Sequence, residues 1–188
     1  MNKRYLAPSR PALPPVTPGE LIEIVDGRDR PLAAMDISDA HRQSLSHRAV
    51  LILVYDPGRK IYLQRRSLAK ALYPGRWDVS ASGHVKAGES REDAALRELY
   101  EEIGISAAGL KLLTEVPAGP ETGFEFVSVF SAGTVRETPQ PNAAEVQGGF
   151  FCDRTELAGL VERCPELLTP GLVYVWEQNF LFPPDMRS

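Results

Sequence analysis

The chain has 188 residues, 43% of them hydrophobic, and carries a formal net charge of −4 at pH 7 with a pI of about 5.5. That is enough apolar material for one buried core and a single domain, and the acidic balance argues against general nucleic-acid binding, which calls for a basic patch. No stretch approaches the ~18 apolar residues of a membrane span; Lys3 and Arg4 precede no apolar run, so no signal peptide is expected; and two cysteines, Cys152 and Cys164, form no disulfide framework, as suits a cytoplasmic chain.

Taken in order, residues 1–19 hold Pro8, Pro11, Pro14, Pro15 and Pro18 and read as an extended or disordered proline-rich arm. A regular pattern begins at Glu20 and defines a domain over 20–183, followed by a short tail at 184–188. Leu21–Val25 and Pro31–Ile37, joined by Asp26-Gly27-Arg28-Asp29, predict a hairpin. Strands are predicted at Ala49–Tyr55, Lys60–Arg66 and Trp77–Ser82, then at Leu110–Val116, Phe124–Val135 and Gly149–Cys152. Helices are predicted at Asp153–Glu162 and at Leu168–Phe180, the latter with Pro170 near its start.

Between these lies the chemically informative segment. Ser90 followed by Asp93 is a capping-box-like start, and Gly104 is a natural stop, so a helix is expected over Arg91–Ile103. Helical spacing places Glu98, Glu101 and Glu102 on one face and Leu96, Leu99, Tyr100 and Ile103 on the opposite one, with Ala94 a turn below Glu98. Three carboxylates on adjacent turns repel one another. Oxygen-only ligands in this arrangement suit Mg²⁺ or Mn²⁺. Taken alone, the three glutamates fit a solvated charged face equally well.

The longer pattern separates the two. Gly83, five residues, Glu89, seven residues, Arg97-Glu98, an aliphatic, any residue, Glu101-Glu102, any residue, Gly104, an aliphatic: every fixed position is met. Average residue usage makes a chance match in a chain this long on the order of 10⁻⁷. The segment resembles a complete Nudix box, the signature of the Nudix hydrolase superfamily. The resemblance implies an α/β fold, an α/β/α sandwich with a mixed β-sheet and a loop–helix–loop metal site. It also implies hydrolysis of a nucleoside diphosphate linked to another group, with Mg²⁺ or Mn²⁺ as cofactor and a small-molecule diphosphate as the partner. Carried over by position, Glu98, Glu101 and Glu102 are metal ligands, joined by the Gly83 carbonyl, while Arg97 pairs with Glu89 to orient the loop. The general base comes from Glu101, Glu102 or the downstream Glu145. Monomer and homodimer are both left open.

The flanks, from Arg65-Arg66 through Lys70, Tyr73-Pro74-Gly75-Arg76-Trp77 and Ser80-Ala81-Ser82-Gly83-His84, resemble the isopentenyl-diphosphate isomerases and the isomerase-like hydrolases. This resemblance implies diphosphate binding by Arg66 and Lys70, and a second metal site formed by His41, His47, His84 and Glu125 for a transition metal such as Mn²⁺ or Zn²⁺. Two departures count against isomerase chemistry. The essential isomerase cysteine aligns with Ser82, and a second acidic position aligns with Gly123. The intact box favours hydrolysis over isomerisation and over a non-catalytic nucleotide-binding module.

Overall fold

The computed structural model describes residues 19–182, so the proline-rich arm through Pro18, the last residue of the expected domain and the tail lie outside the described residues. Its axis is β3 (His47–Tyr55), an apolar run buried almost throughout, as a strand covered on both faces must be. β3 runs parallel to β8 (Glu125–Thr134), from His47↔Glu125 to Tyr55↔Thr134. On its other side it is antiparallel to β6 (Ala81–His84). β7 (Lys111–Val116) extends the sheet beyond β8. β4 (Ile61–Arg66) meets β3 at the single rung Tyr55↔Ile61 and then continues between β5 (Trp77–Asp78) and β9 (Val146–Cys152). The sheet is therefore split beside β6, and the split is where polar side chains collect.

Alternation along β3 builds two cores. Ala49, Leu53 and Tyr55 pack with Leu157 of α3 (Arg154–Arg163) and with Leu172 and Val175 of α4 (Pro170–Glu177). Val50, Ile52 and Val54 pack with Ala94, Ala95, Leu99 and Ile103 of α2 (Arg91–Ile103). The result is a mixed sheet with helices on both faces, in agreement with the expected architecture. A smaller core of Ile22, Ile24 and Ala40 ties the hairpin of β1 (Leu21–Val25) and β2 (Pro31–Asp36) to α1 (Ile37–Arg42).

Helix α2 has the expected limits because its ends are set locally. The Ser90 hydroxyl accepts the Asp93 amide at 3.1 Å, and Gly104 closes the helix in the left-handed conformation at φ 69°. Elsewhere the structure corrects the sequence reading. Ile37 does not extend β2; Asp36 caps a helix there, its side chain accepting the Ser38 amide at 2.9 Å. Trp77–Ser82 is not one strand but β5 and β6, each with a different partner. β3 begins at His47 rather than at Ala49, and β9 at Val146 rather than at Gly149. The last helix is shorter than expected, with a single 3-10 turn at Pro165–Leu167 before it.

The faces of α2 also differ from expectation. Tyr100 is 63% exposed, whereas Glu98 and Glu102 are buried beside the aliphatic stripe. Only Glu101 of the three glutamates is exposed. A charged group can displace an aromatic one from the interior only where partners meet the charge.

Gly104 tests the local account of α2. A Cβ there would adopt left-handed backbone and approach the Gln140 carbonyl oxygen at 3.2 Å. Gly104→Ala is expected to lower stability by about 1–2 kcal/mol, read as a lower urea midpoint at unchanged slope. An unchanged midpoint would contradict this assignment.

Candidate active site and metal centre

The partners that meet the charge on α2 start with Arg97. Its Nε and Nη2 donate to the two carboxylate oxygens of Glu89 at 2.8 and 2.9 Å. Nη1 donates to Glu98 at 2.6 Å and to Glu101 at 3.2 Å, and Nη2 also reaches the His84 carbonyl at 3.0 Å. Burial works against the Arg97 charge, but Glu89 and Glu98 outweigh it and keep the guanidinium protonated. Glu89 also accepts the Lys86 amide at 3.0 Å, which fixes the loop before the helix. Gly83 stands against the Glu98 carboxyl so closely that any Cβ would overlap it. Glycine is needed here for close approach.

Burial pushes Glu98 up to about 7, with Arg97 pulling in the opposite direction. Burial also raises Glu102, against the attraction of Lys70, the Ser82 amide and Gln64. Glu102 Oε2 accepts Gln64 Nε2 at 2.7 Å and the Ser82 amide at 2.9 Å. Its Oε1 lies 3.3 Å from Lys70 Nζ, which donates to Glu145 at 2.7 Å. Lys70 thus bridges Glu102 and Glu145. Arg66 points instead at Asp78, with Nη1 at 3.3 Å from Oδ2, and donates Nε to the Leu72 carbonyl at 3.2 Å. Two buried carboxylates with raised proton affinity form a hard, all-oxygen donor set that a divalent cation would stabilise, so these residues fit Mg²⁺ or Mn²⁺.

A second constellation forms on the other face of β6. His41 from α1, His47 from β3, His84 from β6 and Glu125 from β8 bring one donor atom each to within 4.8 Å of one another. Among the described residues it is the one such group of His, Cys, Asp and Glu. His47 Nε2 is 3.2 Å from His41 Nε2, and Glu125 Oε1 is 3.3 to 3.7 Å from all three imidazoles. His47 Nδ1 sits 2.8 Å from the Leu45 carbonyl. The Leu45 carbonyl therefore holds Nδ1, and Nε2 is the nitrogen turned to the cluster, as a metal-ligating histidine requires. Burial disfavours the Glu125 carboxylate, but hydrogen bonds from His41, His47 and His84 hold it well below the usual carboxylate range. Three imidazoles and one carboxylate fit a transition metal such as Zn²⁺ or Mn²⁺.

Of the site residues singled out in the sequence, Gly83, Glu89, Arg97, Glu98 and Glu101 gather around one guanidinium, Glu102, Lys70 and Glu145 form a chain beside them, and the three histidines meet Glu125, whereas Arg66 stands apart on Asp78 and the Leu72 carbonyl. Gln64 and Asp78 were not singled out. Gln64 follows the apolar run Ile61–Leu63 and precedes Arg65 and Arg66, so its position in the sequence does not set it apart, although it is fully buried. Nothing local marks Asp78.

Glu98 gives the site a measurable pH signature. Its folded-state value of about 7 exceeds the ordinary 4.5, so the folded protein holds this proton more tightly than the unfolded chain. The resulting stabilisation is complete below the unfolded value and is lost as pH rises through 7. Denaturant melts of metal-free protein from about pH 5 to about pH 8 should show falling stability that Glu98→Gln flattens. An equal slope in the variant would contradict the shift.

Comparison with known proteins agrees with this arrangement. The NUDIX domain family model matches residues 45–168. An uncharacterized Nudix hydrolase of Pseudomonas aeruginosa is 45% identical over 92 residues, which is 49% of this chain and 54% of that one, so the match spans about half of that relative. An isopentenyl-diphosphate Delta-isomerase of Nocardia farcinica is 34% identical over 166 residues, covering 83% of this chain and 92% of the isomerase. The crystal structure of DR0079 from Deinococcus radiodurans superposes with a TM-score of 0.76 at 25% identity, covering 85% of this chain and 98% of that one. A complete box folded onto a loop and helix, in a mixed sheet of matching topology and under a matching domain model, establishes that the chain belongs to the Nudix family.

Proposed function

We propose that the protein is a divalent-metal-dependent hydrolase that cuts a diphosphate linkage in a nucleoside diphosphate derivative or a related compound, by attack of water on phosphorus. The observation that carries this reading is the Arg97 assembly, which joins Glu89, Glu98 and Glu101 in one network beside Gly83. In the proposal Glu98, Glu101, Glu102 and the Gly83 carbonyl hold Mg²⁺ or Mn²⁺. Bound there, the metal neutralises the diphosphate and lowers the pKa of a coordinated water.

The chain's own residues do the rest. Arg97 keeps the glutamates aimed, and Glu89 keeps Arg97 in place. Arg66 and Lys70 bind diphosphate oxygens, the former as a planar fork and the latter as a flexible point charge. Glu102 is already engaged by three donors and serves as ligand. Glu101, exposed and held by Arg97, and Glu145, held by Lys70, are the bases to compare.

A specific observation favours a second reading, isomerisation of an isoprenoid diphosphate. The cluster of His41, His47, His84 and Glu125 and the likeness to the Nocardia isomerase both point that way. Against it, Ser82 stands at the position of the isomerase thiol, with its hydroxyl 3.4 Å from Asp78. A serine hydroxyl neither gives nor takes a proton near neutral pH as a thiol does. Hydrolysis is the reading we adopt.

Glu101→Gln and Glu102→Gln are each expected to lower kcat about 100-fold or more while the fold is kept. Steady-state kinetics on a panel of nucleoside diphosphate compounds with Mg²⁺ or Mn²⁺ reads this out, and near-normal turnover in both variants would sink the assignment. Independently, Co²⁺ titration of metal-free protein should give d–d absorption bands that His84→Asn removes. Bands unchanged in that variant would show that the histidines hold no metal.

A further inference from the structure

Asp78 has no part in the chemistry above, yet its buried carboxylate gathers contacts from three separate elements. Oδ1 accepts the Thr169 hydroxyl at 2.7 Å and the Val79 amide at 2.9 Å. Oδ2 lies 3.3 Å from Arg66 Nη1 and 3.4 Å from the Ser82 hydroxyl. Thr169 is the N-cap of α4, its hydroxyl also accepting the Leu172 amide at 3.2 Å, so one plane of the Asp78 carboxylate is pinned to the C-terminal helix. Arg66 is fastened along one edge, by Asp78 at Nη1 and by the Leu72 carbonyl at Nε. Among the described residues its Nη2 donates to no protein group. The side chains of the pair are only 13% and 8% exposed.

We infer that Asp78 is a positioning residue. It holds the Arg66 guanidinium in the one orientation in which the unused Nη2 edge meets a diphosphate oxygen. This rests on the reading that Arg66 binds the diphosphate. Two opposing effects decide the sign of its removal. An anion beside Arg66 weakens the pull of that cation on a diphosphate, so neutralising Asp78 would tighten binding if charge were the whole effect. A long, flexible arginine that must be ordered on binding weakens it instead. In Asp78→Asn, Oδ1 keeps the Thr169 and Val79 contacts, but the amide can turn an N–H toward Arg66, opposing donor to donor. Orientation is therefore expected to win.

The test is calorimetric binding of methylenebisphosphonate, a non-hydrolysable diphosphate, to the full chain with Mg²⁺. Asp78→Asn is expected to weaken binding about tenfold, and Asp78→Glu, which keeps the carboxylate but displaces it, to weaken it less. In an Arg66→Met background, Asp78→Asn is expected to cost nothing further. Thr169→Val, which cuts the tie to α4 but leaves Asp78 its Val79 amide and its contact with Arg66, is expected to lower thermal stability and to weaken binding much less than Asp78→Asn. Equal or tighter binding by Asp78→Asn, an undiminished loss in the Arg66→Met background, or a tenfold loss in Thr169→Val would each overturn the inference. Should Asp78→Asn not fold, Asp78→Glu decides on the same cycle. Wild-type affinity in Arg66→Met alone would instead overturn the underlying reading of Arg66.

Discussion

The guanidinium of Arg97 is the contact on which the rest of the site depends. Five acceptor oxygens converge on it: both of Glu89, one from Glu98, one from Glu101 and the His84 carbonyl. Taking a carboxylate such as Glu98 out of water is costly, and breaking a buried pair by removing one partner costs roughly 3–5 kcal/mol. Arg97 thus makes it possible for α2 to bury an acidic residue next to Leu99 and Ile103, and for β6 to approach so closely that only glycine fits at position 83. Helix, loop and strand are held by one side chain, so the geometry of the acidic cluster exists before any ligand arrives.

Strand geometry explains why two donor sets lie back to back. Successive residues of a strand point to opposite faces. Gly83 faces Glu98 on the α2 side, while His84 turns to His41, His47 and Glu125 on the other. The Ser82 amide meets Glu102. Because β3 and β4 part after a single rung, Gln64 and Lys70 can reach Glu102 through the split. The same few residues of β6 therefore touch a hard, oxygen-rich site and a softer, imidazole-rich one, which is how one scaffold can resemble both hydrolases and isomerases.

What could be read from the sequence follows from whether the determinant is local. The limits of α2 rest on Ser90, Asp93 and Gly104, all within or beside the helix, and they were legible. Its faces were only partly so. Hydropathy puts Tyr100 inside and Glu98 outside, but Arg97 and the glycine at 83 reverse that order. α1 has six residues, too few for a periodic signal, so the sequence predicts no helix around His41 and reads Ile37, its first residue, into the preceding strand. The four members of the histidine cluster span residues 41 to 125: the pairing of β3 with β6 and β8 joins His47, His84 and Glu125, and the packing of α1 on β1 brings in His41. No spacing rule reveals them; family resemblance did. Gln64 and Asp78 stayed hidden for the same reason, since their roles depend on which strands separate and which meet.

Attack of water on phosphorus at this site leaves an isotopic record, read by running the compound panel, isopentenyl diphosphate included, in H₂¹⁸O with Mg²⁺ or Mn²⁺ and analysing the products by mass spectrometry. The expected result is cleavage of a diphosphate linkage with one ¹⁸O in a single phosphoryl product and no isomer from isopentenyl diphosphate. Isomer formation without label in phosphate, or no turnover of any compound with either metal, would contradict it.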